Sequence, residues 1–251
     1  MDAAFWISLA GLTMVALVIG SFLGVLVVRL PEEADIVHGR SRCPSCGHPL
    51  APLDLVPLAS FLWRRGRCRY CLAKIGTFYP AIELAAVAVA LWSASLASGW
   101  LLWASCALGW TLLTLALIDL RAHILPDVLT LPLVAAGLVV AWLDQPMLLD
   151  LHVLGAMVGY TVFAFIAWLY RSWRGREGLG AGDAKLLAAL GAWSGLGALP
   201  SIVLIASLTA LAVALAAALR GRLALSERIA FGPYLGAAGW IVWLYGPLFM
   251  R

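Results

Sequence analysis

Two groups of residues have types and spacings that could do chemistry. The first is Cys43-Pro-Ser-Cys46 and Cys68-Arg-Tyr-Cys71, two CxxC pairs separated by 21 residues. Paired thiolates at this spacing can supply four ligands to a tetrahedral zinc ion. Gly47 and Gly66 stand beside the pairs, where tight turns need permissive residues. His48 adjoins the first pair, but four cysteines already complete the ligand set. Cys106 stands alone in an apolar run and reads as packing. The second group is a pair of carboxylates at the ends of apolar runs: Asp119, and Asp183 in Gly180-Ala-Gly-Asp183.

Two carboxylates brought together can hydrolyse a peptide bond without a metal or a covalent intermediate. One, ionised, takes a proton from water; the other, protonated, hydrogen-bonds the carbonyl and helps the amine leave. They share one proton, so their titration belongs to the pair. Asp119 should lie toward a helix C-terminus, since Pro126 should end its helix near Leu125. Asp183 should lie at a helix N-terminus, where free amides favour a negative charge, with Lys185 adjacent. On this reading Asp183 is the base and Asp119 carries the resting proton. Asp127 reads as a cap of the next helix, and His123, four residues after Asp119, could face the pair. The Gly178–Gly182 stretch could cradle phosphate, but it lacks the GxxxxGK[ST] pattern and Asp183 would repel an anion.

These groups must be positioned by membrane helices. Hydrophobic residues make up 63% of the 251 residues and charged residues 12%, against roughly 45–50% and about 25% in soluble domains. Disorder, collagen and a disulfide-rich secreted scaffold are excluded, and no basic aromatic stripe suggests nucleic acid. Uncharged runs at Ala3–Val28, Leu84–Ile118, Val128–Leu143, Leu151–Tyr170, Leu186–Leu219 and Ile229–Met250 are measured against the ~20 residues that cross a bilayer. Leu84–Ile118 divides at Ser98-Gly99 and Leu186–Leu219 at Gly195, Gly197 and Pro200. The expectation is an all-α integral membrane protein of about eight transmembrane helices. It has three parts: a first span over 1–28, a polar cysteine insert over 29–78 and a polytopic domain over 79–251.

Charge orients these spans. With the N-terminus outside, 16 of the 17 Lys and Arg residues fall in or beside inner loops, leaving only Arg251 outside. Asp119 and Asp183 then share one depth at the cytoplasmic face. The insert is cytoplasmic, so disulfides are disfavoured and zinc is left to hold together a segment too small to fold on apolar burial alone. Its basic character suits anionic lipid headgroups. The acidic Glu32, Glu33 and Asp35 could meet a basic substrate segment. Glu83, just after Tyr79-Pro80, could pair with an Arg or touch a substrate amine.

The motifs together resemble the type IV prepilin peptidases, GxGD aspartic proteases. Gly20-Ser-Phe-Leu23 with Arg29-Leu-Pro31 resembles the end of that family's first span. Ser41-Arg-Cys-Pro-Ser-Cys46, Asp54-Leu-Val-Pro57 and Gly66-Arg-Cys-Arg-Tyr-Cys71 resemble its zinc insert, and Tyr79-Pro-Ala-Ile-Glu-Leu84 its second span. Ile118-Asp119 with Leu125-Pro-Asp127 resembles the first aspartate motif. Gly180-Ala-Gly-Asp-Ala-Lys185 with Leu190-Gly-Ala-Trp193 resembles the second, and Phe231-Gly-Pro-Tyr-Leu235 a late motif.

The resemblance implies a multi-pass enzyme of the bacterial inner membrane that removes prepilin or pseudopilin leaders after a Gly on the cytoplasmic side. It implies Asp119 and Asp183 as the catalytic pair and Cys43, Cys46, Cys68 and Cys71 as zinc ligands. It also implies methylation of the new N-terminal residue with S-adenosylmethionine, for which Glu83 is the carboxylate to test. Gly24 departs from the family's usual Asn. The rival readings are another GxGD intramembrane protease, resembling presenilin or signal peptide peptidase, and a non-enzymatic transporter with a structural zinc insert. The former families lack the cysteine insert; a transporter would carry charges deep within its spans.

Overall fold

A computed structural model of the chain describes residues 3–35, 39, 41–174, 180–220 and 230–248. Gly178 of the glycine-rich stretch, and Arg222 and Arg228 of the last inner loop, lie outside the described residues. The described chain is helical, with isolated β-bridges only at Arg42–Pro49 and Arg67–Lys74. Nine α-helices are described: α1 Ala3–Arg29, α2 Ala59–Trp63, α3 Phe78–Leu96, α4 Gly99–Ala122, α5 Asp127–Asp144, α6 Leu149–Arg174, α7 Ala181–Ser194, α8 Leu199–Leu219 and α9 Gly232–Tyr245. Apart from the short α2, they fall where eight helices were expected. Six of them, α1, α3, α4, α5, α6 and α8, are long and apolar enough to cross a membrane. The chain is therefore a multi-pass membrane protein.

Two compact units divide the chain, Met1–Trp110 and Thr111–Arg251. In the first, α1 packs along α3. Contact is closest at Gly20, where a Cβ would stand 2.7 Å from the Glu83 Cα. The turn between α3 and α4 falls at the expected Ser98-Gly99, with Gly99 at φ +61°. The Trp110 indole donates to the Ala86 carbonyl at 2.9 Å, which removes one unsatisfied polar group from an apolar setting.

The insert between α1 and α3 folds as two copies of one knuckle. The Cys43 N–H donates to the His48 carbonyl and the Gly47 N–H to the Cys43 carbonyl; Cys68, Ala73 and Leu72 repeat the pattern. Gly47 takes φ +69°, and Leu72, at the matching place, takes φ +59°. The repeat is too short to register as an internal sequence repeat.

In the second unit α7 is the central helix, packed against α5, α6 and α9. Every residue from Asp183 to Trp193 is buried except Lys185. A helix apolar all round belongs inside protein, not against lipid. It has 14 residues, so it is about 21 Å long and shorter than a hydrocarbon core of roughly 30 Å. α9 also has 14 residues. The turn from α7 to α8 falls at Gly195, φ +78°, as expected from the glycines there. α6 and α7 approach until a Cβ on Gly155 would stand 2.6 Å from the Gly191 carbonyl oxygen, the close backbone contact that small residues permit between membrane helices. Some polar groups in this core are paired, whereas Ser194 Oγ and Trp240 Nε1 are buried without a hydrogen-bond partner among the described residues. The Trp193 indole donates to the Leu133 carbonyl at 2.9 Å, and His152 Nδ1 lies 2.9 Å from the Ala192 carbonyl oxygen.

Candidate functional site

Asp119 sits in the last turn of α4. The helix ends at Ala122, three residues before the end expected from Pro126, because His123 takes a left-handed conformation at φ +53°. The His123 N–H closes the turn onto the Asp119 carbonyl at 2.9 Å. The chain then runs extended into Pro126, which occupies the N-cap of α5. Asp127 is accordingly the first residue inside α5, not its cap.

Asp183 stands in the first turn of α7. Its N–H donates to the Gly180 carbonyl at 3.1 Å, and its Oδ2 accepts the Gly180 N–H at 3.2 Å. The sequence expectation of a carboxylate at a helix N-terminus is met by this reciprocal pairing.

The structure brings Asp119 and Asp183 within electrostatic reach of each other. Both are buried, at 6% and 8% exposure. Asp119 Oδ2 accepts the backbone N–H of Gly232 at 2.9 Å, so the first amide of α9 and the positive end of that helix meet this carboxylate. The His123 side chain is also within electrostatic reach of Asp119. Sequence reasoning missed the Gly232 contact, although it had singled out Phe231-Gly-Pro-Tyr-Leu235 as a motif without a role.

Lys185 does not serve Asp183. Its Nζ donates to both oxygens of Asp127, at 2.6 and 2.8 Å, and so ties the second turn of α7 to the first turn of α5.

In the first unit the four cysteine sulfurs lie within 4.8 Å of one another, and Cys43 Sγ and Cys71 Sγ are 3.8 Å apart. A tetrahedral zinc site with Zn–S of about 2.3 Å has S···S edges of about 3.8 Å, so the cluster fits a metal. No disulfide joins these cysteines. Backbone N–H groups of Cys46 and Ser45 hold the Cys43 thiol down at about 6. Cys71 accepts a backbone N–H from Ala73, yet desolvation and the sulfurs of Cys46, Cys68 and Cys43 push it up to about 11. Four crowded thiols of this kind call for a cation. His48 stacks on Tyr70 at 3.6 Å between ring centroids and lies outside the cluster, and Cys106 is buried within α4.

Glu83 is buried at 5% exposure. Its Oε2 accepts the Leu58 N–H at 2.9 Å, and Ser21 supplies a further hydrogen bond; among the described residues these partners, and not an Arg, hold it. Glu32, Glu33 and Asp35 are exposed.

Comparison with known proteins identifies the chain. Residues 14–96 match the Bacterial Peptidase A24 N-terminal domain, and residues 106–215 match the type IV leader peptidase family. A prepilin leader peptidase/N-methyltransferase of Aeromonas hydrophila is 40% identical over 98% of this chain and 93% of its own length. Its namesake in Burkholderia pseudomallei (strain 1026b) is 42% identical over 96% and 86%, and that of Pseudomonas aeruginosa is 38% identical over 95% and 90%. No solved structure matches the chain. The chain belongs to the type IV leader peptidase family.

Proposed function

We propose that this protein is a membrane aspartic endopeptidase that removes the leader of type IV prepilins and pseudopilins after a Gly, and methylates the N-terminal residue so exposed. The observation that carries the reading is the Asp119–Asp183 pair, two buried carboxylates each held through Oδ2 by a backbone amide at a helix N-terminus, in a chain of this family.

The hydrogen bonds favour a division of labour opposite to the one suggested by helix position alone. Asp119 has the shorter amide contact, the α9 N-terminus and His123 to stabilise its charge, whereas Lys185, the cation expected beside Asp183, is held by Asp127. Asp119 is therefore the base and Asp183 carries the proton. Asp119 takes a proton from water as the water oxygen adds to the scissile carbonyl carbon. Asp183 gives its proton to the carbonyl oxygen, forming a neutral gem-diol. As the C–N bond breaks, Asp119 passes its proton to the departing nitrogen and Asp183 regains one from a gem-diol hydroxyl, which returns both residues to their starting state. Proton positions from neutron diffraction or difference infrared spectra would contradict this assignment by placing the resting proton on Asp119.

The metal is zinc on Cys43, Cys46, Cys68 and Cys71, structural and not catalytic, in an insert over 29–78 that follows the span over 1–28. The peptidase domain occupies 79–251. S-adenosylmethionine, when bound, supplies the methyl group as an electrophile; Glu83 is the carboxylate set to receive its positive charge or that of the substrate amine. The enzyme lies in the bacterial inner membrane with its N-terminus outside and its basic loops, and hence the dyad, at the cytoplasmic face. Family membership disfavours the transporter and the other GxGD proteases.

Purified enzyme incubated with a prepilin and S-adenosylmethionine tests the reading by mass spectrometry. Leader loss together with an added methyl is expected. An uncut prepilin would overturn the peptidase assignment, and cleavage without a methyl would overturn only the second activity.

A further inference from the structure

The first unit encloses a cavity of about 360 Å³ between α1, the cysteine insert and α3. That is within the range of small-molecule sites. Its walls carry an unusual mixture of groups. Glu83 reaches it from α3, and Asp54 from the insert. Both carboxylates are buried, the Asp54 side chain at 5% exposure. The described partners of Glu83 are an amide and a hydroxyl, neither of which is a cation. Asp54 Oδ2 accepts the Ala51 N–H at 3.2 Å. Asp54 Oδ1 lies 3.2 Å from Arg64 Nε but accepts no hydrogen bond. Asp54 thus has a counter-ion in Arg64 but an oxygen without a donor, which is costly, whereas Glu83 is a buried carboxylate with no cation among its described partners, which costs more.

The rest of the wall is complementary in another sense. Five arginines line it, and Tyr79 and Phe61 supply aromatic surface. Arg29 donates to the backbone carbonyls of Asp35 and Gly39 and Arg64 pairs with Asp54, so Arg42, Arg67 and Arg69 are the ones turned to a ligand's anionic group. Leu58, whose amide holds Glu83, adopts φ 54° and ψ −46°. A non-glycine residue there stores strain of the kind that marks ligand sites. Gly24 leaves the space that the Tyr79 ring fills: a Cβ there would stand 2.9 Å from Tyr79 Cδ1.

We propose that this cavity binds S-adenosylmethionine, with Glu83 toward the sulfonium, Asp54 toward the ribose hydroxyls or the ammonium, arginines toward the methionine carboxylate and Phe61 and Tyr79 toward the adenine. The assignment rests on the methyltransferase reading above and adds the place and the residues. One molecule carrying two positive centres, one carboxylate, a diol and a flat base gives a partner to the two carboxylates, to an arginine and to the aromatic rings of the wall. A nucleoside triphosphate would use the arginines but leave two buried carboxylates facing its phosphates. The back wall includes Cys43 and Cys68, so the metal cluster shapes the pocket without touching the chemistry.

The test is calorimetric titration of the full-length, zinc-loaded protein in detergent with S-adenosylmethionine, S-adenosylhomocysteine and ATP. The wild type should bind the first. Glu83→Gln and Asp54→Asn should each weaken it at least tenfold, with zinc content and Tm as folding controls. Glu83→Gln should weaken S-adenosylhomocysteine, which lacks the sulfonium charge, at least fivefold less than S-adenosylmethionine. Val25→Trp, which fills the cavity from α1, should abolish both. Affinities within twofold of wild type in all three variants, or tight ATP binding competing with S-adenosylmethionine here, would overturn the location and leave the methyltransferase reading intact. A wild-type protein that binds no S-adenosylmethionine would overturn both.

Discussion

The amide of Gly232 donates to Oδ2 of Asp119 at 2.9 Å across a sequence separation of 113 residues. This contact sets the N-terminus of α9 against a carboxylate in the last turn of α4, where that helix's own terminus would oppose a negative charge. It also explains why position 232 is a glycine. A Cβ there would stand 2.7 Å from Asp119 Oδ2 and 3.2 Å from its Cγ. Gly232→Ala keeps the amide but pushes the carboxylate aside. Prepilin cleavage should fall at least tenfold, or about 1.4 kcal/mol or more of transition-state stabilisation, with zinc content unchanged. Wild-type kcat/KM in this variant would remove α9 from the site.

The Lys185–Asp127 pair is partly exposed, with 28% and 55% of the two side chains accessible. Pairs of this kind contribute about 0.2–1 kcal/mol. Lys185→Met and Asp127→Asn should each lower kcat less than fivefold, and a double-mutant cycle on Tm should show coupling within that energy range. A loss comparable to that of the dyad variants would instead place Lys185 in the chemistry.

Metal removal tests the cysteine insert. Cys43→Ser or Cys68→Ser should reduce bound zinc to below about one-tenth of wild type, because a three-thiolate site leaves the tetrahedron open. The knuckles then lose their cross-link, and S-adenosylmethionine binding should fall in parallel. Full zinc occupancy after either substitution would show that the four sulfurs are not the ligand set.

Gly155 and Gly191 let α6 and α7 meet backbone to backbone. Gly155→Ala places a Cβ 2.6 Å from the Gly191 oxygen and 2.8 Å from the Leu196 nitrogen, an overpacking that costs roughly 1–3 kcal/mol. The Tm should fall by several degrees. Gly11→Ala, inside α1 with nothing within 4 Å of the added carbon, should not lower it, since alanine favours the helix. Equal effects from the two would show that the α6–α7 approach is not a packing constraint.

The parts of this molecule set by local chemistry were legible from the residues alone. Span lengths, the breaks at Ser98-Gly99 and Gly195, the two CxxC pairs and the position of Asp183 at a helix start all follow from periodicity, turn chemistry or ligand spacing. What escaped depends on packing between distant segments. Nothing near Gly232 announces Asp119, and nothing near Leu58 announces Glu83. Lys185 lies two residues from Asp183 in sequence but points to Asp127, 58 residues away. The early end of α4 escaped for another reason. His123 adopts a backbone conformation that usually calls for glycine, so no residue signal marked the stop before Pro126. α7 reads as half of a long apolar run; only its neighbours reveal a short buried helix.

The central claim is that Asp119 and Asp183 act as one hydrolytic unit. Its most direct test is the rate of prepilin cleavage by Asp119→Asn, Asp183→Asn and the double variant, each purified with its zinc content and Tm measured alongside. The account predicts losses of at least a thousandfold in each single variant, no further loss in the double, and unchanged metal and stability. Cleavage within tenfold of wild type by either single variant would contradict it.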